Sequence, residues 1–223
     1  MITGYLCLVT VLLLLIKFIV RKAGWEEGKL FFRKIHKPLG IAVIVIVLFH
    51  MVCTFSVWDT RNLSVMISGI ILGLFVIGMG ATYFFQKKLD GKWMQWHRMI
   101  AILIVIAIGS HIILYYIDFF SYQKKIESIV LSSESAENVT DGSFIGEYDA
   151  GYIYALVRVD VKDQRIVGID LLAHDNERGT RAEAVLSEIV KGQTTKVDAV
   201  SGATNSSKVL MKAVENALEK GRR

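Results

Sequence analysis

Two groups of residues in this chain have the types and the spacing for chemistry, and the first is a set of four histidines. "IHKPLGIAVIVIVLFH" (Ile35 to His50) and "WHRMIAILIVIAIGSH" (Trp96 to His111) align at an offset of 61 residues. Each stretch has histidines fourteen residues apart, His36 with His50 and His97 with His111. At about 100° and ~1.5 Å per residue, a helix puts both members of such a pair on one face, roughly 21 Å apart. If the two helices run parallel, His36 stands level with His97 and His50 with His111. Facing imidazoles at two depths are what two b-type haems need, each iron taking one axial nitrogen from either helix.

A histidine in an apolar segment also has a plainer use, packing helices together through a hydrogen bond. Four in a matched repeat favour the ligand reading, because each unpaired ring in hydrocarbon calls for a partner. His36 fits less easily than the others. Pro38 prefers the first turn of a helix, which puts His36 at or just before the helix start, and a haem at that level requires the helix to begin earlier.

The second group is "VDAVSGATNSSKVL", Val197 to Leu210. Ser201, Gly202, Ala203, Thr204, Asn205, Ser206 and Ser207 stand immediately before an apolar-periodic stretch. Open N–H groups at a helix start favour a phosphate, and small residues let backbone approach it. A Ser/Asn helix cap would use the same residues.

Four apolar runs must position the histidines: Ile2 to Val20, Leu39 to Trp58, Leu63 to Phe85 and Met99 to Phe120, each near the roughly 20 residues a bilayer requires. They predict an all-α four-helix membrane bundle. The first run is read as a retained span, since Arg21 and Lys22 follow it and no small-residue cleavage site appears. Arg21, Lys22, Lys29, Arg33, Lys34 and Lys37 fill one connection, and Lys87, Lys88, Lys92 and Arg98 another, whereas the connection between the second and third runs has only Arg61. By the positive-inside rule the basic connections are cytoplasmic, so the N-terminus and everything after Phe120 are expected outside. Trp25, Trp58, Tyr83, Trp93, Trp96, Tyr115 and Tyr116 sit at the ends of the runs, as an interfacial aromatic belt does. Gly40, Gly69, Gly73, Gly78, Gly80 and Gly109 let helices or a ligand approach closely, and "GIILG" fits a GxxxG packing pattern.

The charge divides the same way. Residues 1–120 hold 12 Lys and Arg against 5 Asp and Glu, and residues 121–223 hold 14 against 16. The basic excess lies in short membrane connections and sets topology, which excludes nucleic acid as a partner and leaves lipid. Cys7 and Cys53, both in apolar runs, offer neither a disulfide framework nor a CxxC site.

Residues 121–139 are polar and Ser-rich and read as a linker, with a helical extension of the fourth span. Beyond them the period changes. "GYIYALVRVDVKDQRIVGIDLLAH" alternates around "KDQ" as a β-hairpin, and "RAEAVLSEIVKG" and "SSKVLMKAVENALEKG" have helical spacing. The domains expected are a four-span domain at 1–120, a linker at 121–139 and a small extracytoplasmic α+β domain at 140–223, its sheet preceding its helices.

In its histidine spacing and topology, the stretch from residue 1 to 120 resembles the ferric-reductase and NADPH-oxidase transmembrane family, in which two helices with two histidines each stack two haems. It departs from that family in having four spans and no cytoplasmic flavin and nicotinamide domain, since no GxGxxG follows a strand; the family's donor is not carried over. The segment "DGSFIGEYDAGY…VDVKDQRIVGIDLLAHDNERG…VDAVSGATNSSKVLMKAVENAL", Asp141 to Leu218, resembles the FMN-binding domain of flavin-bearing subunits of ion-pumping quinone oxidoreductases. That resemblance implies an FMN phosphoester on Thr204, attached by a separate flavin transferase outside the cytoplasm, with Asp198, Ser201, Gly202, Ala203, Ser206 and Ser207 around the phosphate. It also sets His174 and Gly179 in a loop by the flavin; the residues alone equally allow His174 to be a solvent-exposed loop residue.

The combined expectation is a transmembrane oxidoreductase. Electrons from a quinol or a cytoplasmic reductase pass two haems and a covalent FMN to an extracytoplasmic acceptor. Two other readings stay open: a haem-free membrane anchor for the flavin subunit of a larger redox or ion-pumping complex, and a regulatory redox sensor.

Overall fold

The computed structural model describes residues 2–176 and 178–222. Met1 and Arg223, the outermost residues of the expected first and last domains, and Glu177 lie outside the described residues. Four long helices come first: α1 (Ile2–Ala23), α2 (Glu26–Phe55), α3 (Leu63–Phe84) and α4 (Trp93–Glu127). Each is long and apolar enough to cross a membrane, with windows of mean hydropathy 2.3 to 2.5. Large apolar side chains such as Val52, Phe55, Ile102 and Ile113 are exposed on them, an arrangement suited to lipid as solvent. This is a membrane protein: a four-helix bundle followed by a small α+β domain. The chain divides into two units, Met1–Trp58 with Asn62–Ile117, and Asp59–Arg61 with Asp118–Arg223.

In the first unit, α2 begins at Glu26, well before the proline, and runs through Pro38. The proline removes one bond, the one its N–H would give to Lys34, and the helix carries on around that gap. Glu26 and Glu27 in the first turn favour the positive helix end, and Lys29 pairs with Glu26. His36 is therefore inside the helix and not at its start. Asn62 caps α3, its Oδ1 accepting from the Ser64 N–H at 3.0 Å. Val11, Val43, Val47, Val76 and Ile104 form the buried centre. Val43 and Val47 lie between His36 and His50 along α2, and Ile104 is midway between His97 and His111 on α4, so an apolar layer separates the two histidine levels.

In the second unit, β1 (Gly142–Asp149), β2 (Tyr154–Lys162) and β3 (Arg165–Asp175) form an antiparallel sheet in the order β1-β2-β3. β2 and β3 are the hairpin predicted from the alternation. Its two-residue turn has Asp163 and Gln164 at φ 52° and 56°, the left-handed pair that matches strand twist. β1 extends the sheet beyond the sequence reading. α5 (Ala184–Gly192) and α6 (Thr204–Gly221) follow. α6 buries Val209, Leu210, Ala213, Val214, Ala217 and Leu218 in a core shared with Val157, Val159 and Ile166, each large aliphatic side chain contributing roughly 1.5–3 kcal/mol. The helix lies so close to β1 that a Cβ on Gly146 would stand 2.1 Å from the Ala213 carbonyl oxygen, which leaves room only for glycine.

The Ser-rich stretch after α4 is stitched into this unit. Glu215, fully buried, accepts from the Ser132 N–H at 3.2 Å and from the Ser132 hydroxyl. Thr195 donates to the Ser132 carbonyl at 2.9 Å, and Thr140 N–H donates to the Gly221 carbonyl at 2.9 Å.

Candidate functional site

In the first unit, the side-chain hydrogen bonds decide what the histidines can do. Ser68 on α3 gives its hydroxyl proton to the Val65 carbonyl at 2.8 Å, and its oxygen stands 2.8 Å from His111 Nδ1. With that proton committed, the oxygen accepts from an Nδ1–H of the ring. Thr82 repeats the arrangement, donating to the Met79 carbonyl at 2.7 Å and standing 3.2 Å from His97 Nδ1. An Nδ1–H tautomer satisfies both contacts and leaves Nε2 as the lone pair, the form that binds a metal. On α1, Thr3 Oγ1 is 2.8 Å from His50 Nδ1. His36 Nδ1 is buried and has no partner among the described residues.

Of the pairs inferred from the repeat, His36 and His97 are brought together. The rings of His36 and His97 have centres 6.3 Å apart at 68°. Two imidazoles on opposite sides of one metal, with bonds of about 2 Å each, hold their ring centres roughly 6 Å apart. His50 and His111, the other two, each stand beside a hydroxyl, of Thr3 and of Ser68. Glycine gives both rings space: a Cβ on Gly69 would stand 3.2 Å from His111 Cε1, and one on Gly4 would stand 3.4 Å from His50 Cε1. An open groove of about 370 Å³, lined by Gly78, Ala81, Thr82, Phe85, Trp96 and Ile100 among others, runs beside the Thr82 and His97 pair. Among the described residues no three His, Cys, Asp or Glu side chains converge on one point.

In the second unit, Thr204 is the first residue of α6 and is exposed. The residue before it, Ala203, occupies the N-cap position, and no side chain caps the helix. The Ser/Asn cap that the sequence allowed is thus not formed. Ser207 does another job: its Oγ accepts from the Val200 N–H at 3.1 Å and donates to the Ala203 carbonyl at 3.0 Å. Fully buried and with both capacities used, it clamps the turn that presents Thr204. Gly202 takes φ +77°, a conformation that favours glycine, and with Ser201 and Asp198 it is exposed around that turn. The result is an exposed hydroxyl beside uncapped helix N–H groups, suited to a phosphate.

Gly179 abuts this turn. A Cβ there would be 1.9 Å from Ser206 Oγ, so the segment after β3 presses on the first turn of α6. His174 is on β3 itself, with its side chain 2% exposed, and is not a solvent-exposed loop residue. Its Nδ1 is 3.0 Å from Glu183 Oε1. Asn176 ties the region together: its amide donates to the His174 carbonyl at 3.2 Å, and its Oδ1 accepts from the Gly179 N–H at 2.7 Å and the Thr180 hydroxyl at 3.2 Å.

Asn176, Glu183 and Tyr122 were not singled out in the sequence. The Asn-x-x-Gly spacing of "NERG" is a signal for the turn that Asn176 makes. Nothing local marks Tyr122, whose hydroxyl accepts from Asn205, the neighbour of Thr204, at 2.9 Å, and whose ring stacks on Tyr152 at 4.6 Å.

Fold and sites define a membrane protein with a histidine-bearing four-helix bundle and a small α+β domain. Residues 150–219 match the family of FMN-binding domains, and the membrane half lies outside that match. Compared with curated proteins, the chain finds no match. The chain is thus a flavin-bearing redox protein of the membrane.

Proposed function

We propose that this protein is an oxidoreductase that carries electrons across the membrane. They come from a quinol or a cytoplasmic reductase, pass two b-type haems held by His36 with His97 and by His50 with His111, and reach an FMN esterified to Thr204. The flavin then reduces an extracytoplasmic acceptor. In this reading the basic connections face the cytoplasm, the N-terminus and the flavin domain lie outside, and a flavin transferase attaches the FMN there. Haems pass single electrons while a flavin stores one or two, so the order suits acceptors of either kind.

The observation that carries the proposal is the hydroxyl contact at Nδ1 of both His97 and His111. A histidine used only to pack helices needs one good hydrogen bond and can make it from either nitrogen. These two have Nδ1 beside a hydroxyl whose own proton goes to a helix carbonyl, which leaves Nε2 as the nitrogen for a metal. The residues thus fit axial ligation, and His36 and His50 complete the pairs.

The test is made on full-length protein from haem-replete cells expressing a flavin transferase. Mass spectrometry is expected to find FMN on the peptide containing Thr204, and reduced-minus-oxidised spectra to show b-type bands that weaken in His50→Ala and His97→Ala. Covalent flavin without haem would favour the membrane-anchor reading. Failure of every external acceptor to reoxidise the reduced protein, with a reproducible protein partner, would favour a redox sensor.

A further inference from the structure

The membrane unit has an open groove where α3 passes into α4, and none of the four histidines lines it. We propose that it is a binding site for a single anionic phospholipid, with one acyl chain lying in the groove and the phosphate meeting Lys88. The proposal needs neither haem nor flavin.

Helical spacing builds the walls. Gly78, Ala81, Thr82 and Phe85 fall at i, i+3, i+4 and i+7, one stripe along α3 and the residue that ends it. Trp96 and Ile100 stand one turn apart on α4 and face that stripe across a space of about 370 Å³. Apart from Thr82 these walls are apolar.

The glycines of α3 divide by what they meet. A Cβ on Gly73 would stand 2.8 Å from Met51 Sδ, and one on Gly80 would stand 2.7 Å from Ile44 Cδ1, so these two let α2 pack closely. Gly69 makes room for His111. Gly78 differs: a Cβ there would find no neighbouring atom within 4 Å. No packed side chain accounts for this glycine, and its effect is to deepen the groove. An apolar channel left empty forfeits dispersion contacts along its whole lining, and in hydrocarbon an acyl chain supplies them.

Charge selects the headgroup. The N–H groups of Lys88 and Leu89 both donate to the Phe85 carbonyl at 2.9 Å, a tight turn that holds Lys88 in the lining, its Nζ 5.8 Å from the centre of the Phe85 ring. Lys88 is exposed and has no carboxylate partner among the described residues. Lys87, Lys92 and Arg98 lie in the same connection against one acid, Asp90, so this end of the bundle is positive. A basic pocket between membrane helices suits a lipid phosphate, and an aromatic such as Trp96 suits the headgroup level.

A quinol is the rival occupant, and the lining argues against it. Oxidation of a quinol needs groups that accept its protons. No carboxylate and no histidine lines the groove, and the Thr82 hydroxyl already gives its proton to the Met79 carbonyl at 2.7 Å.

The test uses full-length protein in mild detergent, titrated with phosphatidylglycerol or phosphatidylcholine of equal chain length and read by native mass spectrometry. One phosphatidylglycerol is expected to bind more tightly than any phosphatidylcholine. Lys88→Gln is expected to weaken phosphatidylglycerol about fivefold and to leave phosphatidylcholine unchanged; Lys92→Gln, outside the lining, has a clearly smaller effect. Gly78→Phe fills the groove and is expected to abolish the tight binding. In vesicles, brominated chains on phosphatidylglycerol are expected to quench tryptophan emission more than the same chains on phosphatidylcholine, with the difference lost in Trp96→Phe. That quenching decides the matter if Gly78→Phe does not fold. Equal affinity for the two lipids, equal losses in Lys88→Gln and Lys92→Gln, tight binding kept by folded Gly78→Phe, or a quinone retained by the wild type and expelled by Gly78→Phe would each overturn the proposal.

Discussion

The two units handle buried imidazoles differently. In the membrane unit, His97 and His111 give Nδ1–H to the hydroxyls of Thr82 and Ser68, whose own protons already go to helix carbonyls. A hydroxyl carries no charge, so it orients the ring and gives no support to an imidazolium. In the second unit, His174 Nδ1 has the Glu183 carboxylate at 3.0 Å and the Asn176 amide nitrogen at 3.2 Å. A hydroxyl partner orients a ring without placing a charge beside it; a carboxylate partner brings a negative charge to the ring as well.

That contrast can be broken or sharpened by substitution. The largest effect is expected at Thr204→Val, which removes the hydroxyl and keeps the shape: covalent flavin disappears entirely, as in-gel flavin fluorescence would show, while the b-type spectrum persists. Next is His111→Ala, expected to remove one haem of the pair and leave the other, measured as haem per polypeptide. Ser68→Ala leaves the ligand in place and removes its orienting partner, so haem affinity is expected to fall about 10–100-fold, read from haem retention under dilution. Smallest is Ser207→Ala, which frees the Val200 N–H while the Ala203 carbonyl keeps its backbone bond, and costs about 1–3 kcal/mol, seen as a lower denaturant midpoint for the second unit with the adduct still formed.

The membrane half was legible because length and hydropathy alone define a span, and because the fourteen-residue spacing of the histidines survives any shift of helix ends. The start of α2 was not. Pro38 signals a first turn, yet the helix passes through it, since losing the bond to Lys34 is tolerable where the preceding residues are already helical. The Ser-rich composition of 121–139 signals a linker, but Ser132 finds its partners in Glu215 and Thr195, more than sixty residues away in sequence. No local pattern announces such contacts. β1 was missed for the same reason, as Gly142 and Gly146 weaken its alternation and only the closeness of α6 explains Gly146. At the site, the small-residue block and Thr204 stood out in the sequence. The roles of Ser207 as a clamp and of Asn176 and Glu183 as partners of the His174 segment depend on tertiary neighbours that no local pattern marks.

The cofactor content of the purified full-length chain tests the central claim most directly. Haem measured as the pyridine haemochrome, alongside covalent flavin per polypeptide, is expected to give two haems b for each FMN. Protein from haem-replete cells that holds covalent FMN on Thr204 and no haem would contradict it.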